Sequence, residues 1–206
     1  MVIPYLCFML IIGTGGMAKD IIGSLSGDPS RHDLKFYNDK DGNALFFNKY
    51  PVLQSHEEAK HLFETEDTSF VCAIANPLMR KRLAEQFKAL GGQLKSYIFT
   101  EPKFISEFVK IGRGTVVQFN TIISSNTEVG EGVFFNCACI IGHDVTIGDY
   151  VSFGPGAKIL GNVEIGDFSY IGTNAVIMPG VKVGQKVRVG VGKIVSEDLP
   201  DGTKFI

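Results

Sequence analysis

From position 111 onward a large apolar residue recurs every six residues. The series is Ile111, Val117, Ile123, Val129, Phe135, Ile141, Ile147, Phe153, Ile159, Ile165, Ile171, Ile177, Val183, Val189 and Val195. The chain is 45% hydrophobic overall, so chance would fill all fifteen positions in roughly one register in 10⁵. Glycine follows the apolar residue in nine hexads, among them Gly142, Gly148, Gly166 and Gly184. Two residues before the next apolar position stands a small or β-branched residue, as in Thr121, Cys139, Val145, Ala157 and Ser169. The position before that one is Gly or Asn at Gly114, Asn120, Asn126, Gly132, Gly156, Asn162, Asn174, Gly180 and Gly192.

A period of six belongs neither to an α-helix nor to an ordinary strand. It belongs to a chain that turns a corner every six residues. Gly and Asn tolerate positive φ best, so the corners fall on them, and the large and small positions point inward. Three hexads then close a triangular coil, and five coils of eighteen residues span 111–200. Such a parallel β-helix buries each coil against its neighbours.

The first hundred residues read differently. An apolar run from Leu6 to Ile12 ends in Gly13-Thr14-Gly15-Gly16 and opens a helix at Met17–Ile22, with residues before Met9 an extension. Further strands are expected at Asp33–Tyr37, near Val52, at Phe70–Ala75 and at Leu94–Phe99, with helices at Ser55–Phe63 and Pro77–Leu90. Alternating strands and helices imply a small parallel α/β sheet with its ligands at the carboxyl ends of the strands. The glycine turn is a partial dinucleotide fingerprint with Ala18 in the third glycine's place. Its N–H groups could meet a phosphate, and Asp39 could accept from a ribose or base. A tight strand-to-helix turn also wants glycine, so the turn by itself leaves both readings open. The expected division is 1–100 for the α/β domain and 101–206 for the coil, with the handover at Glu101-Pro102.

A net charge of −2 carries no basic footprint, which argues against nucleic acid. The apolar opening lacks a positive flank and is too short to span a bilayer. Cys7, Cys72, Cys137 and Cys139 show no Cys-x-x-Cys spacing, so a reduced, cytoplasmic protein without disulfides or zinc is expected.

Of the four histidines, His32, His56, His61 and His143, only His143 lies in the repeat, in Gly142-His143-Asp144. It falls at a corner, so its imidazole should project outward. Gly161-Asn162 follows one coil later, a glycine N–H stacked above an imidazole beside a carboxylate. That is acyl-transfer geometry: His143 as general base, Asp144 supporting it, the Gly161 N–H at the oxyanion. A surface histidine at a corner is the alternative. One solenoid histidine does not supply a metal site, so a carbonic-anhydrase-type reading is set aside. Lys182, Lys186, Arg188 and Lys193 cluster near the last coils, either a solvated face or a set of phosphate partners.

Several stretches together resemble one family. They are Ile141-Gly142-His143-Asp144-Val145, Pro155-Gly156-Ala157, Ile171-Gly172-Thr173-Asn174 and Ser196-Glu197-Asp198-Leu199-Pro200, with the glycine-turn domain in front. The chain is similar over nearly its whole length to the bacterial sialic acid O-acetyltransferases and nucleotide-amino-sugar N-acetyltransferases. The resemblance implies a Rossmann-like domain followed by a left-handed β-helix, a trimer with active sites between subunits, and acetyl-CoA as co-substrate without a metal. It implies His143 as base, Asp144 beside it, Asn136 as an active-site asparagine and Gly161 at the thioester carbonyl. Gly13, Gly15, Gly16, Met17, Asp39 and Lys40 match the nucleotide-sugar site. Met17 stands where several amino-sugar members have histidine, and Asn38 replaces a frequent acid. Thr173, Val191 and Lys193 fall where the last coils hold coenzyme A. The implied activity is N-acetylation of a nucleotide-linked amino sugar in bacterial glycan or polysaccharide biosynthesis. O-acetylation of sialic acid or another sugar is the near rival, and a catalytically silent trimeric scaffold the distant one.

Overall fold

A computed structural model describes residues 9–25, 34–40, 42–99 and 101–206. Cys7, His32 and the start of the expected first and second strands lie outside the described residues. The chain divides into two compact units at Lys95/Ser96.

In the first unit the strands are β1 (Met9–Ile12), β2 (Leu34–Tyr37), β3 (Leu45–Phe46), β4 (Tyr50–Leu53), β5 (Ser69–Cys72) and β6 (Gln93–Leu94). Helices α1 (Gly16–Ser24), α2 (His56–Thr65) and α3 (Pro77–Ala89) connect them. The sheet order is β3-β4-β2-β1-β5-β6, parallel except for the β3/β4 hairpin, which the sequence pattern did not announce. Strand order reverses between β1 and β5: β1 leads to β2 on one side and β5 to β6 on the other. Leu10, Ile11, Phe36, Phe70 and Phe87 are sealed in the core. Helix α2 begins with a reciprocal cap: Ser55 Oγ accepts from Glu58 N at 3.1 Å, and the Glu58 carboxylate accepts from Gln54 N, just ahead of the cap, at 2.8 Å.

The second unit is the left-handed parallel β-helix. Its strands are two residues long and stack in register with residues eighteen positions on, as in Glu128↔Thr146, Phe134↔Ser152 and Ile140↔Lys158. Every sixth residue from 114 to 192 has positive φ. The nine Gly and Asn corners are there as expected. The remaining corners are Ala138, Asp144, Tyr150, Phe168 and Lys186, which the residue types did not announce. Around Tyr150 and Phe168 the strain is offset by stacking: their rings lie 6.0 Å apart at 9°.

The glycine after the apolar residue also has a reason at Gly130, Gly148 and Gly184, where a Cβ would collide with Oδ1 of Asp149, Asp167 and Asp201. Asp149, Asp167 and Asp201 each turn Oδ1 back onto a backbone N–H of the coil before, at Glu131, Asp149 and Gln185, all at 2.8 Å. Inside, Val133, Cys139, Val145, Ala157 and Val163 alternate with the large column in one continuous core. The inward hydroxyls are satisfied: Thr115, Thr121, Thr127 and Ser169 donate to carbonyls of Gly130, Asn136, Gly142 and Gly184 at 2.8–3.1 Å.

Two departures bound the repeat. Tyr97–Ile98, expected to close the α/β sheet, pairs instead with Val116–Val117 in the solenoid. Its offset of nineteen, Tyr97↔Val116, breaks the period, which is why the pattern did not reveal it. After Val195 the coil shortens: Arg188 pairs with Lys204, sixteen residues on. No helix among the described residues is long and apolar enough to cross a membrane.

Candidate functional site

Two places gather chemistry, one in each unit. In the first, a pocket of about 590 Å³ opens where the strand order reverses, the position at which open α/β sheets take their ligands. Its floor is Ile12, Ala73, Ile74 and Ala75, and Gly13, Gly15, Gly16 and Met17 border it. Gly13 has φ +108°, and an added Cβ would sit 2.8 Å from Ile74 Cδ1, so no other residue fits that turn. Around Gly15 and Gly16 such a Cβ would meet nothing within 4 Å, so the turn is open to a ligand. Helix α1 starts there with neither a side-chain cap nor an acidic residue in its first turn. Its free N–H groups and dipole favour an anion.

Asn38 holds the facing edge: its amide donates to Thr14 Oγ1 at 2.7 Å and its Oδ1 accepts from Lys40 N at 3.0 Å. Asp39 and Lys40 follow at the rim. Burial pushes the Tyr37 phenol up to about 12, and the Asp39 carboxylate, which accepts from it, adds to the shift.

In the solenoid, His143 follows the strand Ile140–Ile141 and Asp144 occupies the left-handed corner at φ 57°. Aspartate is one of the few side chains that tolerates this conformation. The His143 side chain is 61% exposed, so the imidazole faces outward. Its Nδ1 lies 2.6 Å from Asp144 Oδ2. A carboxylate only accepts, so in the neutral imidazole Nδ1 carries the proton and Nε2 the lone pair. Asn126 Nδ2 donates to Asp144 Oδ1 at 2.5 Å. That bond first, and the His143 bond second, hold the Asp144 carboxyl below the usual carboxylate range. One coil on, Gly161 lies against the ring: a Cβ there would be 2.7 Å from His143 Cε1 and 2.8 Å from Nε2. The Gly161 N–H makes no hydrogen bond among the described residues.

Asn136, Thr173 and Val191 do not join this group within one chain. They stand at the corner before the face that carries Ile140, whereas His143 stands at the corner after it. Asn136 Oδ1 accepts from Cys137 N at 2.8 Å, Thr173 O accepts from Gly192 N, and Val191 is exposed. Lys193 is half-buried on the inward column of the last strand pair.

Comparison with known proteins fits both halves. The family model of the PglD N-terminal domain matches residues 9–87, and that of the bacterial transferase hexapeptide (six repeats) matches 126–161. A histidine-to-asparagine variant of perosamine N-acetyltransferase from Caulobacter crescentus, solved with CoA and GDP-perosamine, is similar with TM-score 0.86 and 27% identity. The match covers 96% of this chain and 92% of that one. The chain is an acyltransferase whose structural neighbours are bacterial sugar acetyltransferases. The acetyltransferase domain of PglB from Neisseria gonorrhoeae, in complex with acetyl coenzyme A, is similar at 28% identity and TM-score 0.84, over 96% and 95% of the two chains. WeeI from Acinetobacter baumannii is similar at 29% identity and TM-score 0.71, over 95% and 94%. No curated protein matches the sequence.

Two parts of these sites escaped the sequence reading. The period of eighteen places Asn126 one coil below Asp144, but its role was missed, and only the structure turns its amide onto the carboxylate. The face of α3 formed by Met79, Arg82, Leu83 and Gln86 lines the α/β pocket. Its spacing of three, four and seven marks one side of a helix, yet nothing in the pattern says which side meets a ligand.

Proposed function

We propose that this acyltransferase moves the acetyl group of acetyl-CoA to the amino group of a nucleotide-linked amino sugar, with His143 as general base. The observation that carries this reading is the His143–Asp144 pair with its free Nε2 against the unengaged Gly161 N–H. His143 Nε2 takes the proton that the amine loses as its nitrogen bonds to the thioester carbonyl carbon. The Gly161 N–H donates to the oxyanion that forms there, and Asp144 steadies the resulting imidazolium. The C–S bond then breaks and the thiolate leaves with its electron pair. No side-chain nucleophile takes part. The solved relatives with CoA and GDP-perosamine support the choice of substrates.

The nucleotide part belongs in the α/β pocket on Gly13, Gly15, Gly16, Met17, Asp39 and Lys40. Thr173, Val191 and Lys193 hold the coenzyme, and Asn136 completes the centre from a neighbouring subunit. A trimer makes this arrangement possible. One solenoid face turns Ile122, Ile140 and Ile194 outward, all exposed, with Val176 and Lys158 between them. Another turns out Lys110, Glu128, Thr146, Glu164 and Lys182, with Lys110–Glu128 and Lys182–Glu164 paired at 2.6 and 2.9 Å. Three copies joined by the apolar face would bring the His143 corner of one to the Asn136 corner of the next. Three free cysteines among the described residues are consistent with a reducing cytoplasm.

The test is thiol release from acetyl-CoA with UDP-, dTDP- and GDP-linked 4-amino sugars and free sialic acid as acceptors. Turnover is expected with one nucleotide amino sugar, falling about 10²- to 10⁴-fold in His143→Ala. Turnover with sialic acid alone would replace the amine by a hydroxyl. Equal rates in wild type and variant would remove His143 from the chemistry.

A further inference from the structure

The α/β pocket has a second wall that the glycine turn does not explain. Across from Gly13–Gly16, α3 presents Met79, Arg82, Leu83 and Gln86 to the same cavity. The start of α3 is fixed twice over. Asn76 Oδ1 caps it through Met79 N at 3.1 Å, and the buried Arg80 donates from Nη1 to Ile74 O at 2.7 Å and to Ala75 O at 3.3 Å. Arg80 thereby ties the helix to the pocket floor, so the base of Arg82 is set relative to the turn.

The charges around the cavity are unbalanced. Among its described lining residues, Lys40 and Arg82 are the two cations and Asp39 the one carboxylate. Neither cation forms an ion pair among the described residues, and Asp39 already accepts from Tyr37. The acid one turn along from Arg82, Glu85, is engaged by Lys88 at 3.4 Å. Among the described residues the lining thus keeps an excess of positive charge, and Arg82 faces the open, uncapped N-terminus of α1 across a pocket of about 590 Å³. An anionic ligand with an extended body suits it. A guanidinium grips phosphate oxygens through two parallel N–H bonds, which an ammonium cannot do.

We propose that Arg82 is a phosphate-binding residue of this site, gripping the diphosphate of the nucleotide from α3 while the first turn of α1 and Lys40 hold it from the other side. This rests on the nucleotide-sugar reading above and adds to it a residue that makes the site selective for diphosphates over nucleosides.

Calorimetric titration of the full chain with UDP, GDP and dTDP, and with the matching nucleosides, tests it. For the diphosphate that binds, Arg82→Ala should weaken affinity about 10- to 100-fold, the loss of charge-assisted hydrogen bonds. Arg82→Lys should recover part of that loss. Affinity for the nucleoside and for coenzyme A should stay as in wild type, and the thermal midpoint should not move. Equal diphosphate affinity in Arg82→Ala and wild type would overturn the assignment and leave the nucleotide-sugar reading standing. A parallel loss of nucleoside affinity would also overturn it, because Arg82 would then be shaping the pocket. If no diphosphate binds wild type, both the assignment and the nucleotide-sugar reading fall.

Discussion

Asp144 combines two demands that rarely meet in one residue. It turns the corner at φ 57°, and it accepts from Asn126 on one oxygen and from His143 on the other. Its folded pKa is depressed, so its contribution is present above the ordinary carboxylate value and is lost as pH falls through the depressed one. The acceptor is therefore ionised throughout the neutral range. Replacing Asn126 by Ala removes the larger cause, and a carboxyl-carbon NMR titration should show Asp144 moving back toward the usual range. Gly161→Ala should act differently. The atoms nearest the added methyl all belong to the exposed His143 ring, which can swing away, so the thermal midpoint should hold while acetyl transfer falls. A fall in both would mean that the coil, not the ring, had moved. The thiols sort by burial. Cys72 and Cys139 are pushed up to about 12 by desolvation, whereas Cys137 is half-buried. In a Cys7→Ser background at pH 8, a thiol reagent should label Cys137 alone. The same shifts give a sign for stability: the two buried thiols favour folding most below their unfolded pKa, and that contribution declines as pH rises toward 12.

At the scale of elements, strands two residues long have little stability of their own; what holds them is the column inside. Phe135 and Phe153 stack at 4.8 Å and 5° in successive coils, both sealed from solvent. Phe153→Ala leaves a cavity that the coils above and below cannot close, and about 3–5 kcal/mol should be lost in denaturant unfolding. In the α/β unit, Ser55→Ala removes the cap of α2 and should cost about 1 kcal/mol, again by denaturant midpoint. The sequence placed α2 from Ser55 and α3 from Pro77, but their caps, Ser55 and Asn76, came from the structure. The β3/β4 hairpin was not marked, because its two-residue strand offers too little alternation to read.

For the whole molecule, the question is what covers the apolar solenoid face. A charge placed there should separate subunits: Ile140→Lys is expected to lower the mass in solution, measured by light scattering, and to lower acetyl transfer with it. The matched change on the charged face, Thr146→Lys, should do neither. If the Ile140 variant keeps both its mass and its rate, that face is not the subunit contact. The same faces show where sequence stops. The hexad pattern by itself determined the β-helix, because a period of six admits one way of burying large and small residues together. It also placed nine of the corners, because Gly and Asn pay least for positive φ. It placed His143 on the outside and Gly161 one coil on. Only the tertiary structure decided that Tyr97–Ile98 belongs to the solenoid, since a pairing offset of nineteen carries no repeat signal. Only it decided how Tyr150 and Phe168 bear positive φ at their corners, since their rings stack across successive coils. And only it aimed Asn126 at Asp144 and Arg82 into the pocket, because side chains far apart in sequence meet through backbone register, which no single stretch of sequence carries.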